Sequence, residues 1–313
     1  MNLRDLRRGI GFGEMVVGML FVAFALRATM MPAQNDTFWH LRAGADIWAT
    51  HAVPRVDHYS HTFAGAPWPD HEWLSQAFMF LAYRLGGMPG LELGATALVM
   101  SAALLVWRLM VGPLATRAVL LAIGLGLSSW FWVLRPQVLT LSLLALLLTL
   151  LVRERYRLIP LLFIIWANAH GGVVLGGLVL GAAWGAAVLC WWRGRAPGAA
   201  DAGARAANAR RVRALALIVA LSGLACAASP LGFRIYRFVI ESTARSIAVR
   251  ITEWFPVLPV DPFGVLFWAA TLAFVAAVVA RRRAFVTGAA SWGEWVTVAC
   301  ACALLPLAVR SQR

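Results

Sequence analysis

Residues 34–74 form a polar stretch that gathers most of the side chains in this chain able to exchange a proton near neutral pH. The stretch contains five of the six histidines and five of the fourteen acidic residues. Imidazoles and carboxylates are the groups that proteins use most often for general acid–base chemistry. A chain that otherwise carries few charges has concentrated its titratable groups in one segment, and we predict a functional site there.

Two alternatives to acid–base chemistry apply to this stretch. Asp36 stands just before a helical pattern at residues 37–49, so it also suits the N-cap of that helix. His58, His61 and His71 stand beside acidic residues and could bind a divalent metal, but the H-x-x-x-H spacing of helical metal sites is not present. We therefore predict neither a resident metal nor another cofactor.

The composition places the chain in a membrane. It is 61% hydrophobic and only 13% charged, whereas a soluble domain is roughly half apolar and about a quarter charged. The net charge of +14 would suggest nucleic acid as a partner for a soluble protein. Here the cations lie between apolar segments, where the positive-inside rule accounts for them. We predict an all-α polytopic membrane protein with no nucleic-acid partner.

Hydrophobic runs divide this single transmembrane domain into about eight or nine segments. A first span at 15–31 precedes an outer loop at 32–90, which carries two short interfacial helices, at 37–49 and 72–85. The glycines and the proline of residues 86–90 break the second of these helices. The region 91–192 holds further spans, one of them at 137–152, after the proline at 136. It also holds a helix break at 168–172, because residues 158–192 are too long for one crossing. An Arg-rich, disordered cytoplasmic loop at 193–213 precedes C-terminal spans at 214–309, which enclose an outer segment at 229–261.

The arginines orient the chain. This assignment leaves 17 basic and five acidic residues on the cytoplasmic side, against 11 basic and nine acidic residues outside. Cytoplasmic loops carry the excess of basic residues, so we predict a multi-pass protein of the bacterial inner membrane with a cytoplasmic N-terminus.

That orientation brings the unusual polar groups to the outer face. Arginine suits a phosphate and a carboxylate suits proton abstraction, so a phosphate-bearing lipid is the predicted substrate class. Asp36 is the predicted catalytic residue, as general base or as the carboxylate that positions an acceptor. The predicted substrate- or phosphate-binding residues are His40, Asp57, Glu72, Arg135, Asn168, His170 and Glu253.

Seven short motifs follow one another along the chain. They are D-x-x-W-H-L-x-x-G from Asp36, P-x-x-D-x-x-S from Pro54, P-W-x-x-H-E-W-L from Pro67, R-P-Q from Arg135, N-x-H-G-G from Asn168, S-P-x-G from Ser229 and E-W-x-P from Glu253. Over residues 15–310 this order resembles bacterial membrane proteins of the class C glycosyltransferase superfamily, which includes the protein mannosyltransferases. The order and the topology are more specific than any single motif.

The resemblance implies a polyprenyl-phosphate-linked sugar as donor and glycosyl transfer to an acceptor glycan, lipid or protein on the periplasmic face. It matches the acidic residue of the family's first outer loop to Asp36. Family members usually have more spans and often a soluble outer domain, so the resemblance also implies a minimal member or a chain truncated at its C-terminus. Two other functions stay open: a lipid or solute transporter (flippase), and a non-catalytic membrane assembly subunit.

Overall fold

The computed structural model describes residues 11–195, 202–248 and 257–310, and no strand occurs within these ranges. The helices of the described ranges are α1 Phe12–Ala28, α2 Asn35–Thr50, α3 Trp73–Leu109, α4 Leu114–Ser128, α5 Gln137–Val152, α6 Ile159–Ala169, α7 Val173–Arg193, α8 Ala202–Cys226, α9 Arg234–Ala248, α10 Pro262–Ala280, α11 Arg282–Thr287 and α12 Trp292–Arg310. An isolated bridge joins Val56 to Pro67 in the polar loop, which is the loop between α2 and α3.

Four helices in the described part of the chain are long and apolar enough to cross a membrane. They are α3, α7, α10, and α4 with the 3-10 turn that extends it to Phe131. α5, the segment Tyr156–Ala169 and most of α12 are apolar but shorter. The prediction of a helical membrane protein is confirmed. The count of eight or nine segments stays a prediction, because length does not decide whether the shorter helices cross.

The break predicted at residues 86–90 lies inside α3, where Gly86 and Gly87 leave helical geometry. Gly87 has φ 62° and ψ −152°, a conformation open to glycine and strained for residues with a side chain. The predicted break is confirmed at these two glycines. The segments predicted as separate helices form the two arms of one kinked element.

α2 packs against the first arm of α3 and thereby positions the polar loop. Its buried residues lie on one face of the helix: Thr37, His40, Leu41, Ala43, Gly44 and Ile47. A Cβ added at Gly44 would lie 2.7 Å from the Cβ of Phe80, so this close approach of the two helices requires glycine.

The face that α2 buries differs from the prediction. The sequence suggests that Phe38, Leu41, Ala45 and Trp48 share a lipid-facing stripe, but Leu41 is buried within the protein and Phe38 is 58% exposed. Trp48 donates from Nε1 to the Ala77 carbonyl at 2.8 Å. Close packing at Gly44 turns the small and polar residues of α2 inward and leaves Phe38 outside.

Helices α5, α6, α7, α8 and α12 form the core beside the polar loop. Trp166 of α6 is fully buried, and a Cβ added at Gly176 of α7 would come within 2.6 Å of its ring. α6 ends at Ala169 and α7 begins at Val173, so the predicted break at 168–172 is confirmed. The break leaves His170 between two helices, facing the polar loop.

The Arg-rich segment predicted as disordered is helical from Ala202 onward, because α8 begins there. Alanine and arginine both favour helix, and Arg211 forms an ion pair with Glu154 at 2.6 Å. In the predicted outer segment, α9 occupies Arg234–Ala248. Residues 196–201 and 249–256, the second of which includes the predicted site residue Glu253, lie outside the described residues.

Candidate functional site

The first part of the site joins the start of α2 to the start of α5. The Thr37 hydroxyl donates to the Leu134 carbonyl at 2.8 Å, and the Leu134 N–H donates to the Pro32 carbonyl at 3.2 Å. These contacts bring Asp36 and Arg135 together as an ion pair. Two residues predicted to share a site are thus side by side.

An open cavity of about 380 Å³ lies over this pair, lined by Gln34, Asn35, Asp36 and Arg135. The Arg135 side chain is 20% exposed and that of Asp36 is 40% exposed. Arg135 Nη1 also lies 3.4 Å from Gln34 Oε1. An anionic and a cationic group therefore face one accessible space, which suits a ligand that carries both hydroxyl groups and a phosphate.

Asp36 does not cap α2. The N-cap residue is Gln34, whose backbone N–H donates to the Thr37 hydroxyl at 2.9 Å. Asp36 lies in the first turn of the helix, where a carboxylate interacts favourably with the positive end of the helix dipole,. The alternative prediction of an Asp36 N-cap is therefore wrong, and the carboxylate contacts Arg135 instead.

The second part of the site is a carboxylic acid surrounded by three imidazoles. The Glu72 oxygens lie 3.4 Å from His170 Nε2, 3.6 Å from His71 Nε2 and 3.8 Å from His40 Nε2. These histidines come from the break between α6 and α7, from the loop before α3, and from α2. Both His40 and Glu72 are largely buried, with 2% and 13% of their side chains exposed. Three distant parts of the sequence therefore meet at Glu72.

Hydrogen bonds to the far ring nitrogens decide the tautomers of two of these histidines. The Gly172 N–H donates to His170 Nδ1 at 2.9 Å, so Nδ1 is an acceptor and Nε2 carries the proton that faces Glu72,. His71 Nδ1 faces the Pro69 carbonyl at 3.4 Å; because a carbonyl only accepts, His71 Nε2 is the acceptor facing Glu72,. Glu72 lies between one donor and one acceptor, which matches its protonated form.

Burial favours the uncharged form of each of these groups. It raises the pKa of Glu72 to about 8; the Asp70 carboxylate adds to this shift and Arg135 opposes it. Burial lowers the pKa of both His40 and His170 to about 3, with Arg135 contributing to each. Near pH 7 the cluster is a neutral network. Because Arg135 influences all three pKa values, the two parts of the site lie close together.

We expect the thermal stability of the protein to fall as the pH rises from about 6.5 to about 8, and Glu72→Gln to abolish that fall. The folded state keeps a proton on Glu72 that the unfolded chain has released above its ordinary pKa of 4.5. Unfolding therefore becomes more favourable as the pH rises, by at most about 1.4 kcal/mol per pH unit. Melting followed by tryptophan fluorescence at pH 6.5 and pH 8 measures the effect.

Above pH 6.5 Glu72 is the member of the cluster whose titration lowers stability, whereas the unfolded side chains of His40, His71 and His170 are still about half protonated at pH 6.5 and partly oppose this fall until they have lost their protons,. Below that pH, unfolded His40 and His170 bind protons that the folded state excludes, so they lower stability on acidification,. Asp46→Asn is the control, since Asp46 is partly exposed and pairs with Arg42; it should keep the alkaline fall. An alkaline fall of the same size in Glu72→Gln would show that another group causes it.

Two predicted binding residues, Asp57 and Asn168, form hydrogen bonds that hold the surrounding protein structure together. Asp57 is buried and accepts from the Tyr59 N–H, the Ser60 N–H and the Ser60 hydroxyl at 2.8, 2.9 and 2.6 Å. The Ser60 hydroxyl and these N–H groups lower the pKa of Asp57. Its carboxylate closes a loop turn, and the contact of Asp57 with substrate stays a prediction.

Asn168 is the second of these two residues. Its Oδ1 accepts from Trp73 Nε1 at 2.8 Å, and its Nδ2 donates to the carbonyls of Ile164 and Ala228 at 2.8 and 3.0 Å. These contacts use the side-chain amide to hold α3, α6 and the end of α8 together. Asn168 positions the break that carries His170, and its contact with substrate stays a prediction.

Sequence reasoning missed three residues that support the cluster. Asp70 is buried, accepts from the Glu72 N–H and from Gln76 Nε2 at 3.1 Å each, and has a pKa raised by burial to about 6. Thr140 lies 2.8 Å from His170 Nδ1. Asp70 was identifiable from its place in the histidine-rich loop, whereas Thr140 and Gln76 carry no signal in helices that otherwise look apolar.

The sequence analysis left a divalent metal site open at His58, His61 and His71. His58 and His61 are exposed on the loop between α2 and α3. Among the described residues no group of three or more His, Cys, Asp or Glu side chains is arranged to hold a metal ion. In the Glu72 cluster the proton on His170 Nε2 occupies the position where a metal ligand needs a lone pair,.

No family model, curated protein or solved structure matches the chain. The fold defines its class: a helical membrane protein. Within that class the protein is distinguished by an Asp36–Arg135 ion pair in an open cavity, next to a buried Glu72 and its three histidines.

Proposed function

We propose that the protein is a membrane glycosyltransferase that moves a sugar from a polyprenyl-phosphate donor to an acceptor on the outer, periplasmic face of a bacterial inner membrane. The observation that carries the proposal is the Asp36–Arg135 pair in its open cavity. A polyprenyl-phosphate sugar presents an anionic phosphate for a guanidinium, and the acceptor hydroxyl presents a proton for a carboxylate. The apolar helices around the site suit a donor whose hydrocarbon chain stays in lipid.

The roles follow from the charges. The acceptor oxygen attacks the anomeric carbon, the bond from that carbon to the phosphate oxygen breaks, and the acceptor proton passes to the Asp36 carboxylate. Polyprenyl phosphate leaves with the bonding electrons, and Arg135 stabilises its negative charge. The donor phosphate competes with Asp36 for Arg135, so donor binding frees the carboxylate to act as base.

The Glu72 cluster, which consists of Glu72, His40, His71 and His170, is suited to bind the sugar of the donor. His40, His170 and Glu72 are neutral near pH 7 and together offer donors and acceptors without net charge. Sugar hydroxyls need such partners, and a buried charge beside them would have to be compensated. We assign these three residues to sugar binding, with Asp70, Gln76 and Thr140 holding them in place.

The direct test is sugar transfer by the purified protein in lipid nanodiscs. The donors are polyprenyl phosphates carrying mannose, glucose, galactose or arabinose, and the readout is release of polyprenyl phosphate measured by mass spectrometry. Turnover or slow hydrolysis of one donor by the native protein, and not by Asp36→Asn, is the expected result. Failure to bind or turn over any donor would return the choice to the transporter and the assembly subunit.

Orientation can be measured independently. α8 runs from Ala202 to Cys226, and Asn168 binds the Ala228 carbonyl near the site, so the start of α8 lies at the opposite end of the bundle. In a background without the four native cysteines, His61→Cys should react with an impermeant maleimide in intact cells, and Arg205→Cys only after permeabilisation. Labelling of both from the same side would contradict the proposed topology.

A further inference from the structure

A second and larger cavity, of about 730 Å³, lies between the end of α7, the start of α8 and the α11–α12 region. α7 begins three residues after His170 and its 21 residues extend roughly 30 Å, about the thickness of a bilayer core,. The cavity therefore lies at the membrane surface opposite the Asp36 site. The proposed glycosyl transfer makes no use of it.

Among the described residues that line this cavity are three arginines and no acidic side chain: Arg193, Arg195 and Arg211. Arg211 is only 17% exposed; it is held by Glu154 at 2.6 Å and lies 4.5 Å over the ring of Trp292. Arg193 donates to the Val286 carbonyl at 3.2 Å, and the Arg195 guanidinium lies 4.9 Å over the ring of Trp191. The guanidinium groups are therefore held in place by protein contacts, so a ligand does not have to order them.

Aromatic and apolar side chains form the rest of the wall. Trp192 and Val286 are each 65% exposed beside the arginines. Phe285 and Trp295 also line the cavity and pack edge to face with their ring centroids 5.0 Å apart. Tryptophan is enriched at membrane–water interfaces. The cavity thus combines a positive charge with a face suited to acyl chains.

We propose that this cavity binds the headgroup of an anionic phospholipid. The lipid phosphate would contact Arg195 and Arg193, and the upper acyl chains would lie along Trp192 and Val286. Arginine-rich pockets between helices at the membrane surface are suited to anionic headgroups. A soluble phosphate compound would gain nothing from Trp192 and Val286, so the apolar rim favours a lipid. The inference does not depend on the proposed enzymatic activity.

Native mass spectrometry of the detergent-solubilised full chain tests the proposal by counting retained lipids. With equal additions of phosphatidylglycerol and phosphatidylcholine, the native protein should retain phosphatidylglycerol preferentially, and Arg195→Gln should weaken that retention about fivefold. Arg283→Gln is the matched control: Arg283 is exposed, basic and part of α11, but it does not line the cavity. It should behave like the native protein.

Three results would overturn the proposal. Equal retention of the two lipids would show that the cavity does not recognise the negative charge of the headgroup. Equal losses in Arg195→Gln and Arg283→Gln would show diffuse attraction by surface charge. Displacement of phosphatidylglycerol by millimolar glycerol phosphate, which lacks acyl chains, would identify the ligand as a soluble anion. Circular dichroism of both variants establishes that their helices are intact, so a loss of binding cannot be assigned to misfolding.

Discussion

Replacing Asp36 with asparagine is expected to lower sugar turnover by roughly 10²–10⁴-fold while leaving the protein folded. Asparagine keeps the size and hydrogen-bonding capacity of aspartate but loses the negative charge and the ability to take up a proton. The helix cap is unaffected, because Gln34 and not Asp36 is the N-cap of α2. Turnover is measured in nanodiscs as release of polyprenyl phosphate, and folding is followed by the melting temperature.

Asp46→Asn is the matched control for Asp36→Asn. Asp46 lies ten positions further along α2 and pairs with Arg42 at 3.2 Å, away from the cavity residues. Its replacement should change turnover by less than about twofold, as a surface pair contributes little. Equal small losses in the two variants would assign Asp36 a structural role. Transfer would then have to proceed without this carboxylate.

Arg135→Gln is expected to lower kcat/KM by roughly 10²–10³-fold, the range seen when a group that stabilises developing charge is removed. The guanidinium faces the cavity beside Asp36, where a departing phosphate would need it. Arg135→Lys keeps the charge but cannot offer two parallel N–H donors, so its loss should be intermediate. Initial rates against donor concentration separate kcat from KM.

A double variant distinguishes a catalytic role of the Asp36–Arg135 pair from a purely structural one. If Asp36 and Arg135 act together on one reaction, Asp36→Asn combined with Arg135→Gln should lose little more than the worse single variant. Arg55→Gln, an exposed arginine of the same loop, is the control and should retain activity. If the exchanged pair Asp36→Arg with Arg135→Asp restores activity, the ion pair serves only to join α2 to α5.

Local patterns in the sequence were sufficient to identify most of the helices. The proline at 136 and the arginine at 153 delimit the apolar run that became α5, which matches the predicted 137–152. The N-x-H-G-G segment predicted a break before α7, because its polar residues and glycines interrupt an apolar run. The two glycines at 86–87 likewise predicted the kink in α3. These features depend on neighbours in sequence, so they can be read without a fold.

Composition also determined the class of protein and the region of interest. A chain that is 61% hydrophobic is predicted to lie in a membrane, where helices satisfy the hydrogen bonds of the backbone internally,. Titratable groups are costly there, so their concentration in residues 34–74 marked the loop that carries His40, His71 and Glu72. The proximity of Asp36 and Arg135 was anticipated from topology, and the ion pair between them is a result of the structure.

Only the tertiary structure decided which polar groups face the cavity. Asp57 and Asn168 look like site residues in the sequence, but local turns and interhelical carbonyls take up their hydrogen bonds. Conversely, two of the three histidines around Glu72, His40 and His170, come from segments that are distant along the chain. Distances of a few ångströms between remote residues depend on how α2, α3 and α6 pack, and periodicity within one helix carries no information about that packing.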